Sequence, residues 1–127
     1  MDIMEIPAAA KTPFIKIDLN LGVFEIKGKS IPENAKLFYS SLFDKLEEYA
    51  KKPAPQTVLN IQMDYFNTSS AKAIVDVFKK LERLNQSGAS KTTINWYHDA
   101  DDEDMIEAGK GYQSIIKTDF NLVPFSK

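Results

Sequence analysis

Residues 64–72 read DYFNTSSAK, with an amide and three hydroxyls in succession, Asn67, Thr68, Ser69 and Ser70, and Lys72 close behind. Asn, Thr and Ser are favoured helix N-caps, because a side-chain oxygen satisfies an N–H that the helix itself leaves free. One cap needs one such residue, and here there are four. A hydroxyl at a helix tip can also accept a phosphoryl group, since unpaired N–H groups and the helix dipole both favour an anion there. Lys72, about one turn on, can pair with that anion. The residues alone leave both readings open, a plain helix cap and a hydroxyl that carries a removable charge.

A second group is acidic. DADDEDMIE, residues 99–107, holds Asp99, Asp101, Asp102, Glu103, Asp104 and Glu107. A calcium loop counted from Asp99 needs Gly at its sixth position and an acid at its twelfth, and those are Asp104 and Lys110. The pattern fails. Acids gather at helix starts because the dipole favours negative charge there, so capping is the plain reading and a partner-recognition surface the sharper one. A metal-assisted hydrolase using these carboxylates would gather them from several strands, whereas these are nearly consecutive. His98 is the single histidine and there is no cysteine, so neither a zinc site nor a nucleophile–histidine pair is expected. GKS at 28–30 lacks the earlier glycine of a phosphate-binding loop, for position 23 is Val.

These residues need a frame. FIKIDL (14–19) and VFEIKG (23–28) alternate around a short glycine-containing link, which predicts an antiparallel hairpin. Ser30 and Glu33 have capping-box spacing, with Pro32 suited to a first turn. The helix that follows carries Ala35, Phe38, Leu42, Leu46 and Tyr49 on one face, flanked by Leu37 and Phe43. TVLNIQMDYF reads as a buried strand, and SAKAIVDVFKKLERLN as a helix burying Ala71, Ile74, Val75, Phe78 and Leu81. Its residues Lys72, Asp76, Lys79, Lys80 and Arg83 face water, and Gly88 suits its end. TTINWYH is a strand, the acidic run opens a shorter helix, and FNLVPF is an edge strand because Pro124 cannot donate to a ladder.

The order is β-β-α-β-α-β-α-β, an α/β mixed sheet with an antiparallel N-terminal hairpin and parallel crossovers. Residues 1–127 form one domain, and the reading assigns no regular structure to 1–12. The loops holding FNTSSAK and HDADDED then leave strands at the same edge, the usual functional edge of such a sheet. A phosphoryl group there adds about −1.5 to −2 charges beside an acidic loop, enough to change a partner's affinity while leaving the fold alone.

The chain has 127 residues, 16 basic and 18 acidic, and a net charge of −2, which offers nucleic acid no global attraction. It lacks a membrane-length apolar run, and its first residues are acidic where a signal peptide is basic. A soluble cytoplasmic domain without cofactor is expected.

The runs GKSIPENAKLFYSSLFDKLEEY, MDYFNTSSAKAI and INWYHDADDEDMIEAGKGYQSII together resemble the bacterial SiaC-type regulatory phosphoproteins, from about Thr12 to the C-terminus. The architecture is similar to the STAS fold of anti-anti-sigma factors. The resemblance implies a switch protein rather than an enzyme. A partner kinase would phosphorylate Thr68 and a PP2C-type phosphatase would remove the phosphate. The unmodified form would activate a diguanylate cyclase, raising cyclic-di-GMP and promoting biofilm formation. Asn67, Ser69, Ser70 and Lys72 would surround Thr68, and Ser69 is the competing acceptor. An anti-anti-sigma-type partner switch and a constitutive scaffold are the alternatives.

Overall fold

A computed structural model describes residues 3–126. The elements are β1 (Ile3–Ile6), β2 (Phe14–Asp18), β3 (Val23–Ser30), α1 (Ala35–Lys51), β4 (Gln56–Phe66), α2 (Thr68–Gln86), β5 (Lys91–Asp99), α3 (Glu103–Ile115) and β6 (Asp119–Phe125). They form a sheet in the order β1-β2-β3-β4-β5-β6. The first two pairings are antiparallel and the last three parallel, which is the mixed sheet expected. Each parallel connection advances one strand in the same direction, so right-handed crossovers put all three helices on one face. Burial agrees: β4 alternates between buried Thr57, Leu59, Ile61 and Met63 and half-buried Val58, Asn60 and Gln62.

Strand β1 is an addition, for the stretch 1–12 was expected to be irregular. IMEI is too short to declare itself, and its strand character comes from pairing Ile3–Ile6 against Asp18–Ile15. Met1 and Asp2, in the same stretch, lie outside the described residues. β6 pairs only with β5, so Pro124 does sit on an edge strand.

The N-terminus of α1 differs from the capping-box reading. Its cap is Asn34, whose Oδ1 accepts from the Leu37 N–H at 3.0 Å. Ser30 ends β3 instead and is wholly buried. Its Oγ lies 2.7 Å from the Tyr39 hydroxyl and 2.8 Å from Ser70 Oγ. That partner explains why Tyr39 rather than Phe38 enters the core: a buried phenol needs a hydrogen bond, and Ser30 supplies it. Phe38 stays half-buried, its ring edge-on to Tyr39 at 4.9 Å.

The apolar face of α2 is rotated from the expected one. Ser70, Ala73, Ile74, Val77, Phe78, Leu81 and Leu84 are buried, while Ala71 and Val75 are half-buried. Phe78 anchors an aromatic cluster, with Tyr112 at 5.2 Å, Phe120 at 5.4 Å and Trp96 at 6.4 Å between centroids. Burying such a ring stabilises the fold by roughly 1.5–3 kcal/mol. Trp96 Nε1–H donates to the Met105 carbonyl at 2.9 Å, tying α3 to the sheet. Gly88, just past α2, has φ 79°, the left-handed geometry that ends a helix.

Candidate functional site

Three loops leave the C-terminal ends of β3, β4 and β5 and open α1, α2 and α3 on one rim of the sheet. The middle loop carries the hydroxyls. Asn67 is the N-cap of α2, in extended backbone geometry, and its Oδ1 accepts from the Ser70 N–H at 2.9 Å. Its own N–H donates to the Ser30 carbonyl at 3.0 Å, which fixes the loop to β3. The Ala71 N–H donates to the Asn67 carbonyl at 2.9 Å and starts the helical ladder.

The four polar residues therefore divide. Asn67 caps. Ser70 points inward, 0% exposed, and belongs to the Tyr39–Ser30–Ser70 relay rather than to the surface. Ser69 is exposed, yet its hydroxyl donates to Asn67 Oδ1 at 3.2 Å. Thr68 is exposed at the first helical position, and its hydroxyl takes no part in the hydrogen bonds that build the cap. The N–H groups of Thr68 and Ser69 precede any intrahelical acceptor.

Lys72 is exposed one turn into α2. It lines a hollow of about 320 Å³ together with Ser69, Ala73 and Asp76 of α2 and Ala35, Lys36 and Phe43 of α1. Two lysines therefore line the hollow that opens beside Ser69, one from each helix, while Thr68 itself is not part of that lining. Lys36 was not singled out from the sequence. Only the packing of α1 on α2 brings it near, and nothing local to its own segment reports that.

The acidic run does what helix-start acids do. Asp102 caps α3 by accepting from the Met105 N–H at 3.1 Å, and Glu103 and Asp104 occupy the first turn. Asp99, the last residue of β5, accepts from the Asp101 N–H at 2.9 Å and shapes the turn. Asp101, Glu103 and Asp104 are exposed, and Asp99 and Asp102 half-buried. β4 and β5 are adjacent, so this loop and the Thr68 loop neighbour each other on the rim, one acidic and the other flanked by lysines. His98 is buried at the end of β5, its Nδ1 2.9 Å from the Asp99 carbonyl, a strand-end position as expected.

Two apolar side chains stand exposed on the same rim, Leu37 at 70% in the first turn of α1 and Tyr65 at 54% near the end of β4. The sequence had flagged Leu37 as a flank of the helix face. Tyr65 went unnoticed, although the alternation of β4 stops at Met63 and leaves Asp64 and Tyr65 both outward. Burial raises the Tyr39 phenol above its ordinary value, and its hydrogen bond with Ser30 opposes that only in part. Burial likewise raises Tyr112.

A family model described as SiaC family regulatory phosphoprotein matches residues 6–125. An uncharacterized protein of Pseudomonas aeruginosa (strain UCBPP-PA14) is 28% identical over 122 residues, covering 96% of this chain and 96% of the relative. The solved structure of SiaC of Pseudomonas aeruginosa is 26% identical and superimposes with a TM-score of 0.89 over 98% of this chain and 100% of that one. In the crystal structure of the Pseudomonas aeruginosa diguanylate cyclase SiaD in complex with its activator SiaC, the matching chain is also 26% identical. There the TM-score is 0.90, over 96% of this chain and 99% of the other. With its hydroxyl-bearing helix tip, one-sided mixed sheet and nearly full-length match, this chain belongs to the SiaC family of regulatory phosphoproteins.

Proposed function

We propose that this protein is a non-enzymatic, cytoplasmic switch whose Thr68 hydroxyl is reversibly phosphorylated, and whose unmodified form binds and activates a diguanylate cyclase. A protein kinase adds the phosphate and a PP2C-type phosphatase removes it. One observation carries the reading: Thr68 is exposed at the first position of α2 while Asn67, not Thr68, closes the cap. A phosphoryl group added there displaces no capping bond. It meets free N–H groups and the positive end of a 19-residue helix, with Lys72 and Lys36 at hand. Ser69 is the weaker candidate, because its hydroxyl already donates into the cap.

The cyclase as partner is supported by family membership and by the solved complex of a relative with its cyclase. Exposed Leu37 and Tyr65 on the rim suit a protein partner, since a paired surface buries such side chains.

The test is a pull-down from the native host with unmodified and Thr68-phosphorylated protein as paired baits. The unmodified bait should retain a diguanylate cyclase that the phosphorylated bait loses. Equal retention on both would falsify the switch and leave a constitutive scaffold. Phosphopeptide mapping from native cells should place the phosphate on Thr68, and a phosphate found only on Ser69 would move the acceptor by one residue.

A further inference from the structure

The hollow beside Ser69 is one end of a longer groove. It shares Phe43 and Asp76 with a second hollow lined by Lys79, Lys80 and Arg83. That one shares Lys80 and Arg83 with a third, floored by Leu46, Ala50 and Leu84. The groove thus follows the seam between α1 and α2 from Ser69 to Ser87, about 27 Å at 1.5 Å per residue.

Its chemistry departs from that of the chain as a whole. Five basic side chains line it, Lys36, Lys72, Lys79, Lys80 and Arg83, against two acidic ones, Glu47 and Asp76. The full chain carries a net charge of −2. Lys80 is bound to Glu47, and its ammonium lies 6.0 Å from the Phe43 ring centre. No such ion pair engages Lys36, Lys72, Lys79 or Arg83 among the described residues. The floor is apolar, formed by Ala35, Ala73, Phe43, Leu46 and Leu84.

We infer that this seam is a docking groove for an acidic amphipathic helix of a partner protein. An apolar floor between cationic walls fits a helix with one apolar stripe and acidic flanks, and the length matches about 18 residues, or five turns. Nucleic acid is disfavoured by the apolar floor and by the two carboxylates within the walls. The open face of the sheet differs: Asn60, Asn95 and Asn121 bond side chain to side chain there, and the hollow beside them is lined by one acid and one base, Glu25 and Lys27.

The groove begins where α2 begins. If the switch reading holds, on which this one step rests, phosphate at Thr68 supplies Lys36 and Lys72 with an anion of their own. It then competes for the charge that the partner's acidic flank needs.

The test puts the photo-crosslinking residue p-benzoylphenylalanine at Phe43 in one full-length variant and at Tyr97, on the open face, in another. Both are irradiated in the native host, and the attached peptide is identified by mass spectrometry. The Phe43 position should capture a protein segment rich in Asp and Glu with apolar residues at helical spacing. In the same background, Lys79→Glu with Arg83→Glu should cut capture at least about tenfold while the melting temperature stays put, both positions being exposed. Capture only from Tyr97, none from either position, or insensitivity to the charge reversals overturns the groove. So does an adduct with nucleic acid, with a second copy of this chain or with a segment lacking acids. Adding Thr68→Glu separates the two readings. Capture that resists Thr68→Glu but falls on charge reversal leaves the groove standing and counts against the switch.

Discussion

Asn67 and Thr68 are neighbours to which the proposed switch gives different tasks, and substitution should separate them. The Asn67 carboxamide closes the first turn of α2 through the Ser70 N–H, so Asn67→Ala should cost about 1 kcal/mol in urea denaturation. Thr68→Ala removes a hydroxyl that the cap does not use, and should change stability by no more than about 0.5 kcal/mol while abolishing phosphate uptake at that position. A Thr68→Ala loss as large as that of Asn67→Ala would mean that Thr68 also caps, and phosphorylation would then cost stability as well as change charge. That one of these residues caps α2 was legible in the sequence, because capping is local chemistry decided within three residues. Which of the four does so was not, and Thr68 as acceptor came only with the family resemblance. The role of Ser70 was not legible. Its hydroxyl meets Ser30, 40 positions earlier, and only the pairing of strands and the packing of α1 bring the two together.

At the scale of elements, strands were the more readable because period-two alternation reports directly which face is covered. Helix phase was harder, as α1 and α2 show. A wide apolar arc admits several neighbouring stripes, and the choice fell to partners elsewhere in the chain, such as Ser30 for Tyr39. The third helix gives a prediction that propensity alone would get wrong. Gly109 and Gly111 both lie inside α3, where alanine favours the helix by about 1 kcal/mol over glycine. A Cβ at Gly111 meets nothing within 4 Å, so Gly111→Ala should stabilise by up to that amount. A Cβ at Gly109 falls 2.6 Å from both Leu122 Cδ2 and Trp96 Cδ1. The indole cannot step aside, for Nε1 is bonded to the Met105 carbonyl and the ring lies within the aromatic cluster. Overpacking of about 1–3 kcal/mol should outweigh the propensity gain, so Gly109→Ala should lower the urea midpoint and alter tryptophan emission. If both substitutions stabilise, α3 is free to move off the sheet.

Over the whole molecule, one sheet face carries all three helices, and the two phenols whose pKa values are raised lie on the covered side. Tyr39 is 0% exposed and Tyr112 half-buried, and burial raises both above the ordinary value of 10.0. In the unfolded chain each releases its proton near 10.0, whereas the folded protein holds it to higher pH. Their contribution to stability is thus complete below pH 10.0 and is lost as pH rises from there through the folded values. Urea midpoints measured from about pH 8 to about pH 11 should stay level and then fall steeply. Tyr39→Phe should begin lower by about 1 kcal/mol, having lost the hydrogen bond with Ser30, and then fall less across the alkaline limb. Parallel curves for the variant and the parent would show that Tyr39 ionises as readily in the folded protein as in water, and that the space between α1 and the end of β3 admits solvent.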